Sequence, residues 1–490
     1  MKRFIEGENR FQSTLFPESL EDYIAADNPV RVIDAFVDGL DLKRLGFDRA
    51  EPSDTGRPGY EPAVMLKIYV YGYLNRLTTT RVLEQETHRN VDLLWLTGRL
   101  MPDHKTIGEF RRNNRKAVRR VCAEFVGICR ELKLFEQVIV AIDGSKFKAV
   151  NSRDNNFTRK SIKRRMKRLQ EHIDRYLTIL DEADKREPAE TKYTAEELAE
   201  KIASMKQQMG RLQEIEEQVQ AHPDKQVSLT DPDARSMAKA GGGSTVGYNV
   251  QTAVDGDNHL ILAHEVTNAT TDRSQLASMA TKAKAALDEE TEEAAEEEEA
   301  KDEFTVVADA GYYKGEEIVA CHEAGIKALV PKVDTSGKRA KGQYTRSDFI
   351  YDARQDEYVC PARQRMRWRF TTEEKGKQFK VYMTSHCTAC PLKAKCTTGK
   401  ERRIKRWEKE HILEAAAAEL KKQPEAMRRR KEIVEHPYAT IKHCMGATHF
   451  VMKRLPNVQA EMSLHVLAYN LKRVINIFGV PKLIAELQAA

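Results

Sequence analysis

The stretch VIVAIDGSKF, residues 138–147, decides how this chain is read. Val138 to Ile142 form an apolar run of strand length, too short for a buried helix, and Asp143 follows at once, ahead of Gly144 and Ser145. A lone acid at the end of a strand that reads as buried on both faces needs a cause. FTVVADAGYY, residues 304–313, repeats the pattern: Val306, Val307 and Ala308 lead to Asp309, again followed by a small residue and a glycine. One such acid is ordinarily a cap or a turn former. Two of them on neighbouring strands of one sheet repel each other, and a protein pairs carboxylates in this way chiefly where a divalent cation neutralises them. In a two-metal site, Mg²⁺ held by hard oxygen ligands activates a water and stabilises the leaving oxygen of a phosphodiester. That chemistry calls for a third acid, expected from a helix against the sheet. MRRRKEIVEHPYATIKHCMG, residues 427–446, offers Glu435 among Arg428, Arg429, Arg430 and Lys431, with Glu432 as its rival on the same helix.

Outward from these strands, the 490 residues suggest two to four domains at roughly 150 residues each. The 81 Lys and Arg against 75 Asp and Glu leave a net charge of +6, too small to imply a polyanionic partner by itself. No apolar run approaches the roughly 20 residues of a membrane span, and MKRFIEGENRFQ lacks the apolar core of a signal peptide, so a cytoplasmic protein is expected. In a reducing compartment the eight cysteines suit a metal site better than a disulfide framework.

Residues 1–130 carry dense helical periodicity. An almost continuously apolar helix follows RPGYEP, a second begins near Thr79 or Thr80, and Asp103 is placed to cap a helix bearing six Lys or Arg between 111 and 120. This resembles a compact DNA-binding module, with Arg111 and Arg112 as candidate phosphate contacts; a bundle with a solvated basic face fits the same residues. Within 157–224, Ile162, Met166, Leu169, Ile173, Tyr176 and Leu180 step by four and three, as do Leu198, Ile202, Met205, Met209 and Leu212 behind a Thr194–Glu197 capping box. The pattern predicts an antiparallel helical hairpin whose first helix has seven basic residues and no acid between 158 and 170. TVGYNVQTAVDG and HLILAHEVTNAT predict a β-hairpin, and the acidic block 288–303 a solvated linker.

Cys360, Cys387, Cys390 and Cys396 could close a tetrahedral zinc site, with Cys387-x-x-Cys390 as the chelating turn and His386 as a substitute ligand. Cys122, Cys129, Cys321 and Cys444 read as small core residues. RQRMRWRF places Trp368 among arginines, a pattern suited to stacking an unpaired base as well as to ordinary core packing.

Taken in order, AIDGSKF, GYNVQTAVD, ADAGYYKG and VEHPYATIKHCMG, together with the N-terminal RPGYEPAVMLKIYVYGYLNRLTTTRVLEQE and PDHKTIGEFR, resemble the DDE transposases of bacterial insertion sequences, specifically the insertion sequence eleven-eighty-two type. The resemblance implies an α/β fold with an RNase H-like mixed sheet flanked by helices. It also implies Mg²⁺ or Mn²⁺, two per active site, with Asp143 bridging and Asp309 and Glu435 each completing one shell. Related transposases show a tyrosine, an arginine, the glutamate and a lysine where this chain has Arg428, Lys431, Glu435 and Lys442, so two of the four match. The domains expected are a helical DNA-binding module at 1–130 and a catalytic core at 131–156, 225–345 and 403–490. That core is interrupted by the helical hairpin at 157–224 and by the Cys-rich, zinc-binding insertion at 346–402. The implied activity is transposition: binding of terminal inverted repeats, hydrolysis to free 3′-hydroxyls, and their attack on target DNA, by a homodimer or larger assembly associated with the nucleoid. A transposase-derived DNA-binding protein without catalysis, and a metal-dependent nuclease without strand transfer, remain the alternatives.

Overall fold

The computed structural model describes residues 19–52, 58–135, 139–183, 194–238, 242–288, 304–332, 337 and 339–489. The chain divides into two compact units: Met1–Glu136, Gly144–Thr270 and Val434–Ala490 form the first, Gln137–Asp143 and Thr271–Ile433 the second.

The first unit opens with helices α1 (Val30–Asp38), α2 (Pro62–Leu74), α3 (Thr80–Thr87), α4 (Val91–Leu96), α5 (His104–Asn113) and α6 (Arg115–Glu131). Pro62 occupies the first turn of α2, where its missing N–H costs nothing, and nearly every side chain of that helix is buried. Thr79 caps α3 by accepting from Val82 N, and Asp103 caps α5 by accepting from Thr106 N at 2.7 Å. The single basic helix expected after Asp103 is two helices. Asn114 breaks it, because its buried side chain accepts from Asp48 N at 2.6 Å and donates to Phe110 O, a tertiary bond that a continuous helix would forfeit.

Strand β1 (Ile139–Lys148) passes from the second unit into the first at Gly144. In the first unit follow β2 (Asn156–Thr158), helices α7 (Arg159–Ala183) and α8 (Ala195–Ala221), and strands β3 (Gln226–Ser228), β4 (Arg235–Ala238), β5 (Ser244–Asp255) and β6 (Ile261–Thr267). The α7–α8 hairpin forms as its stepping predicts, with the Thr194–Glu197 capping box in place. Its base is a cluster of Phe157, Ile162, Leu212, Ile215 and Val219, clamped where β2 pairs antiparallel with β3. The β5–β6 hairpin also forms, in antiparallel register from Asn249↔Thr267 to Val254↔Ile261.

In the second unit helix α9 (Leu276–Leu287) precedes β7 (Thr305–Ala308), α10 (Gly315–Glu323) and β8 (Lys327–Leu329), with β7 parallel to both the first half of β1 and β8. From residue 289 on, the expected acidic linker lies outside the described residues. The Cys-rich segment is built on strands β9 (Ile350–Asp352), β10 (Glu357–Val359), β11 (Arg365–Glu374), β12 (Lys377–Met383) and β13 (Ile404–Trp407), a fully antiparallel sheet in the order β13-β12-β11-β10-β9, with the short helix α11 (Lys393–Cys396) between β12 and β13. Helix α12 (Glu410–Lys422) follows. Helix α13 (Ala426–Ala439) then carries the chain back into the first unit, where α14 (Leu455–Phe478) and α15 (Val480–Ala489) finish it. Helix α14 is buried from Ala460 to Leu471, and its Asn470 side chain bonds both Ile261 N and Ile261 O at 2.9 Å, satisfying backbone groups of β6. The described residues contain no helix long and apolar enough to cross a membrane.

Candidate active site

Strands β1 and β7 run in parallel register from Ile139↔Thr305 to Ile142↔Ala308, so the next residue on each is an aspartate, Asp143 and Asp309. β7 stops there, as expected. Asp309 caps a short 3-10 turn, Ala310–Tyr312, accepting from Gly311 N at 2.8 Å. β1 does not stop, contrary to the expectation that Asp143 ends its strand. It continues to Lys148 because its second half finds new backbone partners in the first unit, where Ala149 N donates to Val246 O.

The two aspartates converge on one cation. Arg430 of α13 places Nη2 2.7 Å from Asp143 Oδ1 and 4.0 Å from Asp309 Oδ2, so these oxygens are no farther apart than the sum of those distances. The arginine side chain is 11% exposed, against 24% for Asp143 and 46% for Asp309. Its Nε is buried with no hydrogen-bond partner. Motif spacing singles out Arg428 and Lys431 on this helix, not Arg430. The available signal was helical phase: Arg430 precedes Ile433 and Val434, both buried, by three and four residues and therefore shares their inward face.

The remaining helix residues divide sharply. Glu435 and Lys431 are exposed and one turn apart on α13. Glu432, the rival acid, is 3.2 Å from Arg428 Nε, and Arg428 also lies 3.8 Å from Glu425. Lys442 sits in a π-helical turn, Thr440–Cys444, just past Pro437. Its ammonium donates to Ser145 Oγ and to Lys146 O at 3.3 Å, and lies 4.5 Å from the Phe147 ring centroid. The lysine thus ties the π turn to the residues directly after Asp143.

Of the expected DNA contacts in the helical module, Arg112 is exposed beside Glu109, whereas Arg111 is not available. Arg111 is 7% exposed, donates to Tyr73 Oη at 2.9 Å and lies over the Tyr69 ring, so it belongs to the core, a correction to its reading as a phosphate contact. Trp368 on β11 is 52% exposed, with Phe370 nearby at 44%. A β-bulge separates the two.

Cys360, Cys387, Cys390 and Cys396 line one pocket together with His386, Met366 and Phe349. Burial raises the Cys396 thiol above its usual value; Arg402 opposes that, and Cys387, Cys360 and Cys390 add to it, as neighbouring thiols do. His386 Nδ1 is engaged by Thr384 Oγ1 at 3.1 Å. The sulfurs converge without closing a coordination sphere: among the described residues no group of three or more His, Cys, Asp or Glu is arranged to hold a metal ion. Cys122, Cys129 and Cys321 are buried as expected, but Cys444 is exposed, because the π turn faces it outward.

Comparison with known families fits this distribution of features. Residues 18–113, the helical module, match the family described as Transposase domain (DUF772). Residues 359–475, which include all four pocket cysteines, Arg430, Glu435 and Lys442, match the family described as Transposase DDE domain; Asp143 and Asp309 lie outside that match. No curated protein and no solved structure matches the chain. One transposase family on the N-terminal helices and another on the segment carrying Arg430 and Glu435 together support a DDE transposase of an insertion sequence, a metal-dependent enzyme.

Proposed function

We propose that this transposase recognises the terminal inverted repeats of its own element, cleaves phosphodiesters at the element boundary and joins the freed 3′-hydroxyls to target DNA. The observation that carries the reading is the in-register pair of aspartates, Asp143 and Asp309, converging on a single cationic group. Hard carboxylate oxygens around a cation are the donor set a divalent ion requires, and the guanidinium stands where positive charge is already favoured. Asp143 and Asp309 are assigned to hold Mg²⁺ or Mn²⁺. Glu435 is assigned as the third ligand from its match to the family glutamate. Such an ion, when bound, supplies a more acidic water and stabilises a leaving oxygen.

The chain's own residues do the rest. Asp143 is fixed by the β1–β7 ladder, which holds a ligand more precisely than a loop does. Lys442, anchored on Ser145 and Lys146, sets a positive charge beside the strand that bears Asp143. Arg112, Lys431, Arg428 and Trp368 are exposed and are assigned to DNA. Action on two element ends favours a dimer or larger assembly.

Labelled duplex carrying the element's terminal repeat, incubated with the protein in Mg²⁺ or in EDTA, tests the reading. Metal-dependent nicking at the boundary is expected, lost by at least about a thousandfold in Asp143→Ala, Asp309→Ala and Glu435→Ala, since a metal ligand underlies several kcal/mol of transition-state stabilisation. Binding should survive in all three. A variant that still cleaves removes its residue from the site, and binding with no cleavage in either Mg²⁺ or Mn²⁺ would favour the DNA-binding alternative.

A further inference from the structure

Arg430 contacts both members of the aspartate pair, but unequally. Its Nη2 sits 2.7 Å from Asp143 Oδ1 and 4.0 Å from Asp309 Oδ2, an asymmetric contact that leaves the second aspartate, 46% exposed, open to a competitor. Its Nε is buried without a hydrogen-bond partner, so the guanidinium is not fully satisfied where it lies. Two carboxylates this close, with no cation between them, repel each other. The surrounding sequence also supplies a destination, since Arg430 stands on a helix whose neighbours Arg428 and Lys431 are already exposed.

We propose that Arg430 is the counter-cation of the Asp143–Asp309 pair in the metal-free protein, and that a divalent cation loads by exchange against its guanidinium. This rests on the assignment of the two aspartates as metal ligands. Arg430 is a positioning residue here: it holds the carboxylates in place, and it sets the concentration at which metal wins. The apparent affinity for metal is then lowered by the fraction of time the arginine is seated.

The test is Mn²⁺ binding to the full-length protein without DNA, followed by electron paramagnetic resonance of the free ion, for wild type, Arg430→Gln, Arg430→Lys, Asp143→Asn and Asp309→Asn. Thermal melting of each is recorded in EDTA and in Mn²⁺. Arg430→Gln should bind Mn²⁺ about fivefold more tightly than wild type, the size expected of a partly exposed ion pair removed from competition. Its melting temperature should fall in EDTA and be restored by Mn²⁺, which loss of a purely structural contact would not allow. Arg430→Lys, which keeps the charge, should bind close to wild type and shows whether a folded variant with a cation still competes. Unchanged or weaker Mn²⁺ binding in Arg430→Gln, with binding lost in Asp143→Asn, overturns the exchange while leaving the metal assignment standing. Binding at wild-type affinity in both aspartate variants overturns the assignment and the exchange together.

Discussion

Ile142 and Ala308 form the last rung between β1 and β7, and the side chains one step beyond are Asp143 and Asp309. A ladder of backbone hydrogen bonds therefore sets the separation of two acids that are 166 residues apart in sequence. No local motif could do this.

The continuation of β1 past Asp143 depends on an absent side chain. A Cβ at Gly247 would lie 2.0 Å from the Phe147 carbonyl oxygen and 2.9 Å from its carbon. Gly247→Ala should destabilise the protein by about 3 kcal/mol, because backbone cannot yield as a flexible side chain does. Gly127→Ala, in α6 with open space around it, should instead stabilise by roughly 0.5–1 kcal/mol. Urea unfolding of the pair measures both, and equal effects would refute the steric account.

Arg111 and Arg112 are neighbours in opposite surroundings, one buried and the other exposed. Arg111→Met should cost about 3 kcal/mol by removing a buried, hydrogen-bonded cation, yet leave the DNA affinity of the folded protein unchanged. Arg112→Ala should leave stability within about 0.5 kcal/mol and weaken DNA binding with a shallower salt dependence. Chemical denaturation and salt-dependent gel shifts separate the two, and a DNA-binding defect in Arg111→Met with native stability would return that residue to the interface.

The four pocket thiols make a chemical prediction. If the sulfurs close around zinc, metal analysis of protein purified without chelator should give about one zinc per chain, lost in Cys387→Ser/Cys390→Ser. Because Cys396 holds its proton above the usual thiol value, zinc affinity should fall steeply as the pH drops. Metal-free protein with native stability would leave the cysteines as packing for the β9–β13 sheet.

Asp255 closes the β5–β6 turn by accepting from Asp257 N at 3.1 Å and Asn258 N at 2.7 Å, and burial pushes its carboxyl up to about 6. A carboxyl whose folded pKa lies above its unfolded value of about 3.9 favours folding most when protonated, so its contribution is complete below pH 4 and is lost as the pH rises through 6. The loss is at most about 3 kcal/mol. Unfolding free energies of wild type and Asp255→Asn should therefore diverge between pH 4 and 7, the variant gaining on wild type as the pH rises. A constant difference across that range would rule out the shift.

Local signals were legible in the sequence wherever the chain settles its own backbone. The caps at Thr79 and Asp103, the Thr194–Glu197 box, the β5–β6 hairpin and the end of β7 at Asp309 all rest on residues within a few positions of one another. What escaped was decided by partners distant in sequence. Asn114 breaks a helix for the sake of Asp48, β1 runs on because β5 is waiting, and Arg111 points inward to Tyr73. The five-stranded sheet under the cysteines was hidden because three of its strands have only three or four residues and most of its side chains are not buried, the buried ones being Tyr358, Met366, Val381, Tyr382, Ile404 and Arg406, with Phe349 beside them. Arg430 was passed over for a related reason: in a run of four cations, motif spacing named the outer ones, and only burial picks out the one that faces the aspartates.

The antiparallel pairing of β2 with β3 brings Thr158 opposite Gln226, so the entrance and exit of the α7–α8 hairpin are side by side. At 1.5 Å per residue the 27-residue α8 is about 40 Å long, comparable to roughly twelve base pairs of duplex at 3.4 Å each. Such an arm behaves as a cassette. It can lengthen, shorten or vanish by whole helical turns in each arm while its two anchor strands stay where they are, paired from Asn156↔Ser228 to Thr158↔Gln226.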